Sequence, residues 1–242
     1  MNDCTISGSG TISGGEYRNV RISGAGKVTG DLKCESFSCS GASNVEGSIV
    51  CSDFNCSGST KVKGDLKSTG TVRISGSTII SGTVSAGEIR SSGSFHAENT
   101  VSANSSVSMS GSTRIDGDLI AENITISGLV KVSGLMNGGN VSICPSGNSR
   151  TGSIGGTNIT IKNDSPNYFI NFIAKFFSNS NSDFSFETDL IEGDKIEIFH
   201  TKAKLVRGGV VTIGDGCEVE RVEYSESITY SDHCKIGEMV EI

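Results

Sequence analysis

The residues of this 242-residue chain with the greatest capacity for chemistry are eight cysteines and three histidines. Closely spaced cysteine and histidine side chains bind metals, whereas an even cysteine count in a secreted chain predicts disulfides. Here no C-x-x-C motif occurs, and the three histidines lie in separate regions: His96, His200 and His233. We therefore expect no metal site and no cofactor.

Carboxylates also recur beside glycines, at Asp31, Asp65 and Asp118. Such a column is compatible with a carbohydrate-binding or carbohydrate-cleaving β-helix, which requires a groove where acidic and basic side chains cluster. Serine or threonine interrupts the column, and no lysine or arginine is consistently paired with it. The glycines do not form a phosphate-binding loop that opens a helix. We therefore predict solvated corner acids and no enzymatic activity, with the carbohydrate protein as the alternative.

The spacing of these residues reflects a repeat that runs from Ile22 to Ser142. Seven copies of a serine- and glycine-rich pattern follow one another at steps of 17 or 18 residues, and they start at Ile22, Cys39, Cys56, Ile74, Ser91, Met109 and Ile126. A period just under twenty, with single hydrophobic residues among small polar ones, is typical of a β-solenoid.

Within each copy, hydrophobic residues recur near positions 0, 6, 10 and 15, with polar residues between them. This alternation predicts strands with one inward-facing column on each face. Two glycine columns predict corners with left-handed backbone, and an asparagine, Asn99, replaces one of these glycines. The uneven gaps between hydrophobic positions fit a left-handed hexapeptide coil poorly. We therefore predict an all-β, right-handed parallel β-helix with about 17 residues per coil.

Six cysteines form three pairs whose members are one coil apart: Cys34 and Cys51, Cys39 and Cys56, and Cys217 and Cys234. Side chains stacked on neighbouring strands lie about 4.8 Å apart, whereas a disulfide brings its β-carbons to about 3.8 Å. We therefore interpret these residues as reduced, mostly buried small hydrophobic side chains.

The chain divides into three parts. Residues 1–163 form the serine- and glycine-rich β-helix, 164–186 an aromatic insert, and 187–242 acidic coils that continue the solenoid. In the insert, the spacing of the aromatic residues predicts a short helix followed by a loop: Phe169, Phe172, Phe176 and Phe177. We expect this helix to pack on the outside of the rod; the alternative is contact with a partner protein or, weakly, with a membrane surface.

Charge and targeting signals narrow the function further. The net charge of −7 and the pI near 5.0 argue against nucleic-acid binding, which depends on lysine and arginine. The N-terminal residues lack the basic start and apolar run of a secretory signal, and no segment has about 18 consecutive apolar residues. We expect a cytoplasmic protein.

The ends of the solenoid are the remaining candidates for function. A terminal coil exposes unpaired backbone groups and a cross-section of the core, which most solenoids cover with a cap. We predict end-to-end stacking of subunits, with contacts made by four residues: Ile6, Ile12, Val240 and Ile242. The alternative is a monomeric rod whose charged end residues discourage pairing.

The coil Ile-Ser-Gly-x-Gly-x-Val-x-Gly-Asp-Leu at 22–32, its later copies, and the stretches 191–198, 201–208 and 213–224 resemble the bactofilins, the polymer-forming cytoskeletal proteins of bacteria. The resemblance implies a right-handed β-helix that assembles without nucleotide into non-polar filaments. It also implies a scaffold for protein cargo near the membrane or cell wall. The aromatic insert is additional to the simplest members of that family.

Overall fold

The computed structural model describes residues 1–162 and 186–242, and this part of the chain is built from strands joined by tight corners. The nineteen strands are β1 (Asn2–Ile6), β2 (Ser9–Ile22), β3 (Ala25–Cys39), β4 (Ala42–Val45), β5 (Ile49–Cys56), β6 (Ser59–Val62), β7 (Leu66–Ser68), β8 (Thr71–Ile74), β9 (Ser77–Ile80), β10 (Val84–Ser91), β11 (Ser94–Ala97), β12 (Val101–Ile115), β13 (Leu119–Ile120), β14 (Asn123–Pro145), β15 (Ser149–Ile161), β16 (Phe186–Ile198), β17 (Thr201–Ile213), β18 (Glu218–Tyr230) and β19 (Lys235–Glu241).

These strands pair in parallel with the coil before and the coil after. The result is a β-solenoid of about 13 turns with about 17 residues per turn, which confirms the predicted parallel β-helix. The right-handedness of the coil stays a prediction, and the predicted helix of the insert lies outside the described residues. Phe186, assigned to the insert from the sequence, opens β16 and is completely buried.

The three predicted hydrophobic columns form the core of the rod. Every residue at positions 6, 10 and 15 of the seven copies is at most 2% exposed. Two of these residues, Phe37 and Phe54, stack on neighbouring coils with ring centroids 5.1 Å apart and ring planes at 4°. The alternation of small polar and hydrophobic residues therefore determines which side chains fill the interior.

The glycine columns have a different cause from the one predicted. Among the glycines of the two columns, only Gly30, Gly111 and Gly128 have positive φ, and the asparagine at position 99 does not share this conformation. A β-carbon on Gly58 would instead lie 2.0 Å from the carbonyl oxygen of Gly41 in the coil before. Glycine is required because the corners of successive coils stack too closely for any side chain.

Candidate functional site

The cysteines are buried structural residues. All eight are free thiols, and Cys34 lies directly opposite Cys51 on the next coil, as Cys39 lies opposite Cys56. Burial raises the pKa of Cys34 to about 11 and that of Cys51 to about 12. These two thiols therefore stay protonated at neutral pH, and the interpretation of the cysteines as free and mostly buried is confirmed.

The histidines do not form a site together. His96 Nε2 lies 3.0 Å from Asp116 Oδ2, and Arg114 Nε donates to the other oxygen of that carboxylate at 2.9 Å. Both contacts lower the pKa of Asp116, the hydrogen bond from His96 most strongly. Across residues 1–162 and 186–242, no group of three histidine, cysteine or acidic side chains has the arrangement of a metal site.

The recurring corner acids connect successive coils. Asp31 Oδ1 accepts the backbone N–H of Ser48 at 2.8 Å, and Asp118 Oδ1 accepts that of Leu135 at the same distance. Asp65 Oδ1 accepts both the N–H of Thr83, at 2.7 Å, and its hydroxyl, at 3.0 Å. The corner acids are accessible to water, as predicted, but each also satisfies a backbone donor of the next coil, a structural role that the sequence did not indicate.

The C-terminal coil exposes residues that continue the core columns. Ile228, Ile236 and Met239 lie in register on Val211, Val219 and Val222, which are at most 1% exposed. In the terminal coil this burial is lost: Met239 is 46% exposed, and Ile228 and Ile236 are only partly buried. Tyr230, which follows Ile213 in its column, is 52% exposed. Together, Ile228, Tyr230, Ile236 and Met239 make an apolar surface, which we name the C-terminal face.

The two C-terminal residues predicted from the sequence lie at the edge of this face. Val240 pairs with Glu223 rather than with a core residue, and it is partly buried. Ile242 donates its N–H to the carbonyl oxygen of Tyr224 at 2.9 Å, and its side chain is 62% exposed. The 17-residue spacing from Val222 was the sequence signal that identifies Met239.

At the opposite end, the two predicted residues do occupy core columns. Ile6 lies in register on Ile22, and Ile12 on Val28. Ile6 is 7% exposed and Ile12 is partly buried, so this N-terminal face is better covered than the C-terminal face. Within the described residues, β1 pairs only with β2 and β19 only with β18, which leaves one edge of each terminal coil without a strand partner.

An ion-pair network borders the C-terminal face. Arg207 Nε donates to Glu223 Oε2 at 2.6 Å, and Arg221 Nε donates to Glu223 Oε1 at 2.7 Å. Arg221 also reaches Glu238 of the last coil at 2.6 Å. The two guanidinium groups lower the pKa of Glu223, that of Arg207 more strongly. The network therefore links the last three coils and holds the edge of the C-terminal face in place.

A shallow cleft of about 420 Å³ lies on the side of the rod, away from both ends. It is lined by Ala103, Asn104, Ile120, Ala121, Glu122, Asn137, Gly138, Gly139, Gly156 and Thr157. Among these lining residues Glu122 is the single carboxylate, and none is basic. The cleft therefore lacks the pair of carboxylates that glycoside cleavage commonly uses, which disfavours the carbohydrate-cleaving alternative.

The aromatic candidates for partner or membrane contact, Phe169, Phe172, Phe176 and Phe177, lie outside the described residues. In the part of the chain that the structure describes, no helix is long and apolar enough to cross a membrane.

Comparison with known proteins gives two similar curated relatives, both from Bacillus subtilis (strain 168). The uncharacterized protein YhbF is 34% identical over 110 residues, which cover 45% of this chain and 42% of YhbF. The uncharacterized protein YhbE is 58% identical over 41 residues, which cover 17% of each protein. The matched segments thus span less than half the length of either relative. No solved structure matches the chain.

A family comparison identifies the central part of the solenoid. Residues 43–137 match the family described as bactofilin, polymer-forming cytoskeletal. The matched segment starts within the second of the seven copies and ends within the seventh, so it covers the most regular coils. The resemblance predicted from the sequence is therefore confirmed, and residues 43–137 place this part of the rod in the bactofilin family of polymer-forming cytoskeletal proteins.

Proposed function

We propose that the protein is a structural scaffold subunit that assembles end to end into filaments without a nucleotide. The observation that carries this proposal is the C-terminal face. Its side chains continue buried columns but are themselves partly or largely exposed. A second coil stacked on this face would bury Ile236 and Met239 as Val219 and Val222 are buried one coil earlier.

Two physical terms favour such stacking. Backbone N–H and C=O groups on the outer edge of a terminal strand gain partners when another strand pairs with them. Burial of apolar surface then contributes about 25 cal/mol per Å². At the C-terminal end we assign the contact to Ile228, Tyr230, Ile236 and Met239, with Val240 and Ile242 at its edge. At the N-terminal end we assign it to Ile6 and Ile12.

The match of residues 43–137 to a polymer-forming cytoskeletal family supports the same function. The terminal coils carry the assembly, while the regular faces of the rod remain available to cargo proteins. The matched relatives add no activity, because both are described as uncharacterized.

Electron microscopy of the purified protein at moderate salt, with no nucleotide added, tests the proposal. We expect linear particles whose length increases with protein concentration. Single short particles at every concentration, or filaments that form only after a nucleoside triphosphate is added, would contradict it.

A further inference from the structure

The cleft on the side of the rod has a regular construction. Asn104, Glu122, Gly139 and Thr157 occupy equivalent corner positions on four successive coils, at steps of 17 or 18 residues. The cleft therefore runs along the rod axis and presents a different group at each coil. Its volume of about 420 Å³ lies within the usual range for small-ligand sites.

Glycines make the cleft part of the coil stacking itself. A β-carbon on Gly138 would lie 2.6 Å from the carbonyl oxygen of Ala121, and one on Gly156 would lie 2.4 Å from that of Gly138. Side chains are thus excluded from the floor, which consists of backbone. The concave shape is therefore preformed and needs no rearrangement to accept a ligand.

One long border of the cleft is a ladder of asparagine side chains. Asn140 Nδ2 donates to Asn123 Oδ1 at 2.9 Å, and Asn158 Nδ2 donates to Asn140 Oδ1 at 3.0 Å. Each of these residues directly follows a corner residue of the cleft. The ladder fixes the amide groups, and each amide nitrogen retains a second N–H for a ligand.

The opposite border combines polar and apolar groups. Asn137 lies in register with Ile120, whose side chain is 42% exposed. Glu122 contributes acceptors to the cleft, and no lysine or arginine is present among the described lining residues. A phosphate or other anion would meet no cationic partner here. A neutral ligand with many hydroxyl groups matches the paired donors and acceptors, and its C–H surface can pack on Ile120.

We propose that this cleft binds a neutral oligosaccharide that lies along the rod axis. Asn104, Glu122, Asn137 and Thr157 hydrogen-bond its hydroxyl groups, and Ile120 packs against a sugar ring. The lone carboxylate makes this a binding site without glycoside cleavage. The site is independent of the terminal coils, so it adds a second function to that of assembly.

Isothermal titration calorimetry with maltohexaose, cellohexaose and chitohexaose tests the proposal. We expect at least one of the three to bind, and Glu122→Ala and Asn137→Ala each to weaken its binding by about tenfold or more. Glu35→Ala is the matched control, because Glu35 occupies the equivalent corner position five coils earlier. Its affinity should equal that of the unmodified protein.

A second pair of variants separates binding from folding. Ile120→Lys should abolish binding, whereas Val50→Lys should retain it; both residues are 42% exposed and occupy the same outward column. Circular dichroism should give the same strand signal for both variants. The proposal is overturned if none of the three hexasaccharides binds at millimolar concentration. Equal weakening by a cleft variant and its matched control would overturn it as well.

Discussion

Met239 lies in register on Val222, yet Met239 is 46% exposed while Val222 is completely buried. The two residues occupy the same inward column and differ only in whether a further coil covers them. This relationship separates the interior of the rod from its end. It also explains why a fold with regular, featureless faces concentrates its capacity for association in the terminal coils.

The thiols provide a first prediction. Burial raises the pKa of Cys34 and Cys217 to about 11 and that of Cys51 to about 12, so their reactive thiolate forms are scarce at pH 8. We expect these three residues to resist iodoacetamide in the folded protein and all eight cysteines to react after denaturation without reductant. Mass spectrometry gives the count, and fewer than eight modified residues after denaturation would indicate disulfides.

The stacked aromatic pair provides a second prediction. Phe37 and Phe54 are both completely buried with parallel rings. Phe54→Ala leaves a cavity beside Phe37 and should lower the free energy of unfolding by about 3–5 kcal/mol. Asn55→Ala, on the outward side of the same strand, should change it by less than about 1 kcal/mol. Urea denaturation measures both, and equal effects of the two variants would contradict the packing.

The corner acids provide a third prediction. Asp65→Ala removes the acceptor for both the N–H and the hydroxyl of Thr83, and should destabilise the protein by about 1 kcal/mol. Asp65→Asn keeps an acceptor oxygen and should recover part of that loss. Urea denaturation again gives the comparison. If the alanine and asparagine variants both match the unmodified protein, the corner bond contributes nothing.

Acid sensitivity of the C-terminal coils provides a fourth prediction. Arg207 and Arg221 hold the pKa of Glu223 below its ordinary value of 4.5. The stabilisation is therefore complete above that value and is lost as the pH falls through the lowered pKa of the folded protein. Melting temperatures from pH 7 to pH 3 should decrease less steeply for Glu223→Gln than for the unmodified protein. Identical pH profiles would show that the pair contributes no acid sensitivity.

Much of the fold follows from the sequence because the repeat is translational. The step of 17 or 18 residues is by itself enough to place Val28, Val45 and Val62 in one column, and each is completely buried. The role of Asp65 was not predictable in the same way. Its bond to Thr83 depends on how closely two corners approach, and that distance is set by backbone stacking rather than by residue type.

The candidate sites show the same division. The hydrophobic pattern identified Ile6 and Ile12 as residues of a terminal coil, because both continue the repeat. Proximity to the chain end favoured Val240, although the spacing from Val222 leads to Met239. The cleft was not predicted, since its shape arises where Gly138 and Gly156 stack at one corner on successive coils, and neither residue is distinctive in the sequence.

Sedimentation velocity of Met239→Lys tests the central claim of end-to-end assembly most directly. A lysine in the middle of the C-terminal face would bury an unpaired charge on stacking, so particles should contain no more than two subunits at concentrations where the unmodified protein forms long assemblies. Thr229→Lys introduces the same charge on the same coil at an outward-facing position and should leave assembly unchanged. Assemblies of unaltered size in Met239→Lys, or equal disruption by both variants, would contradict the account.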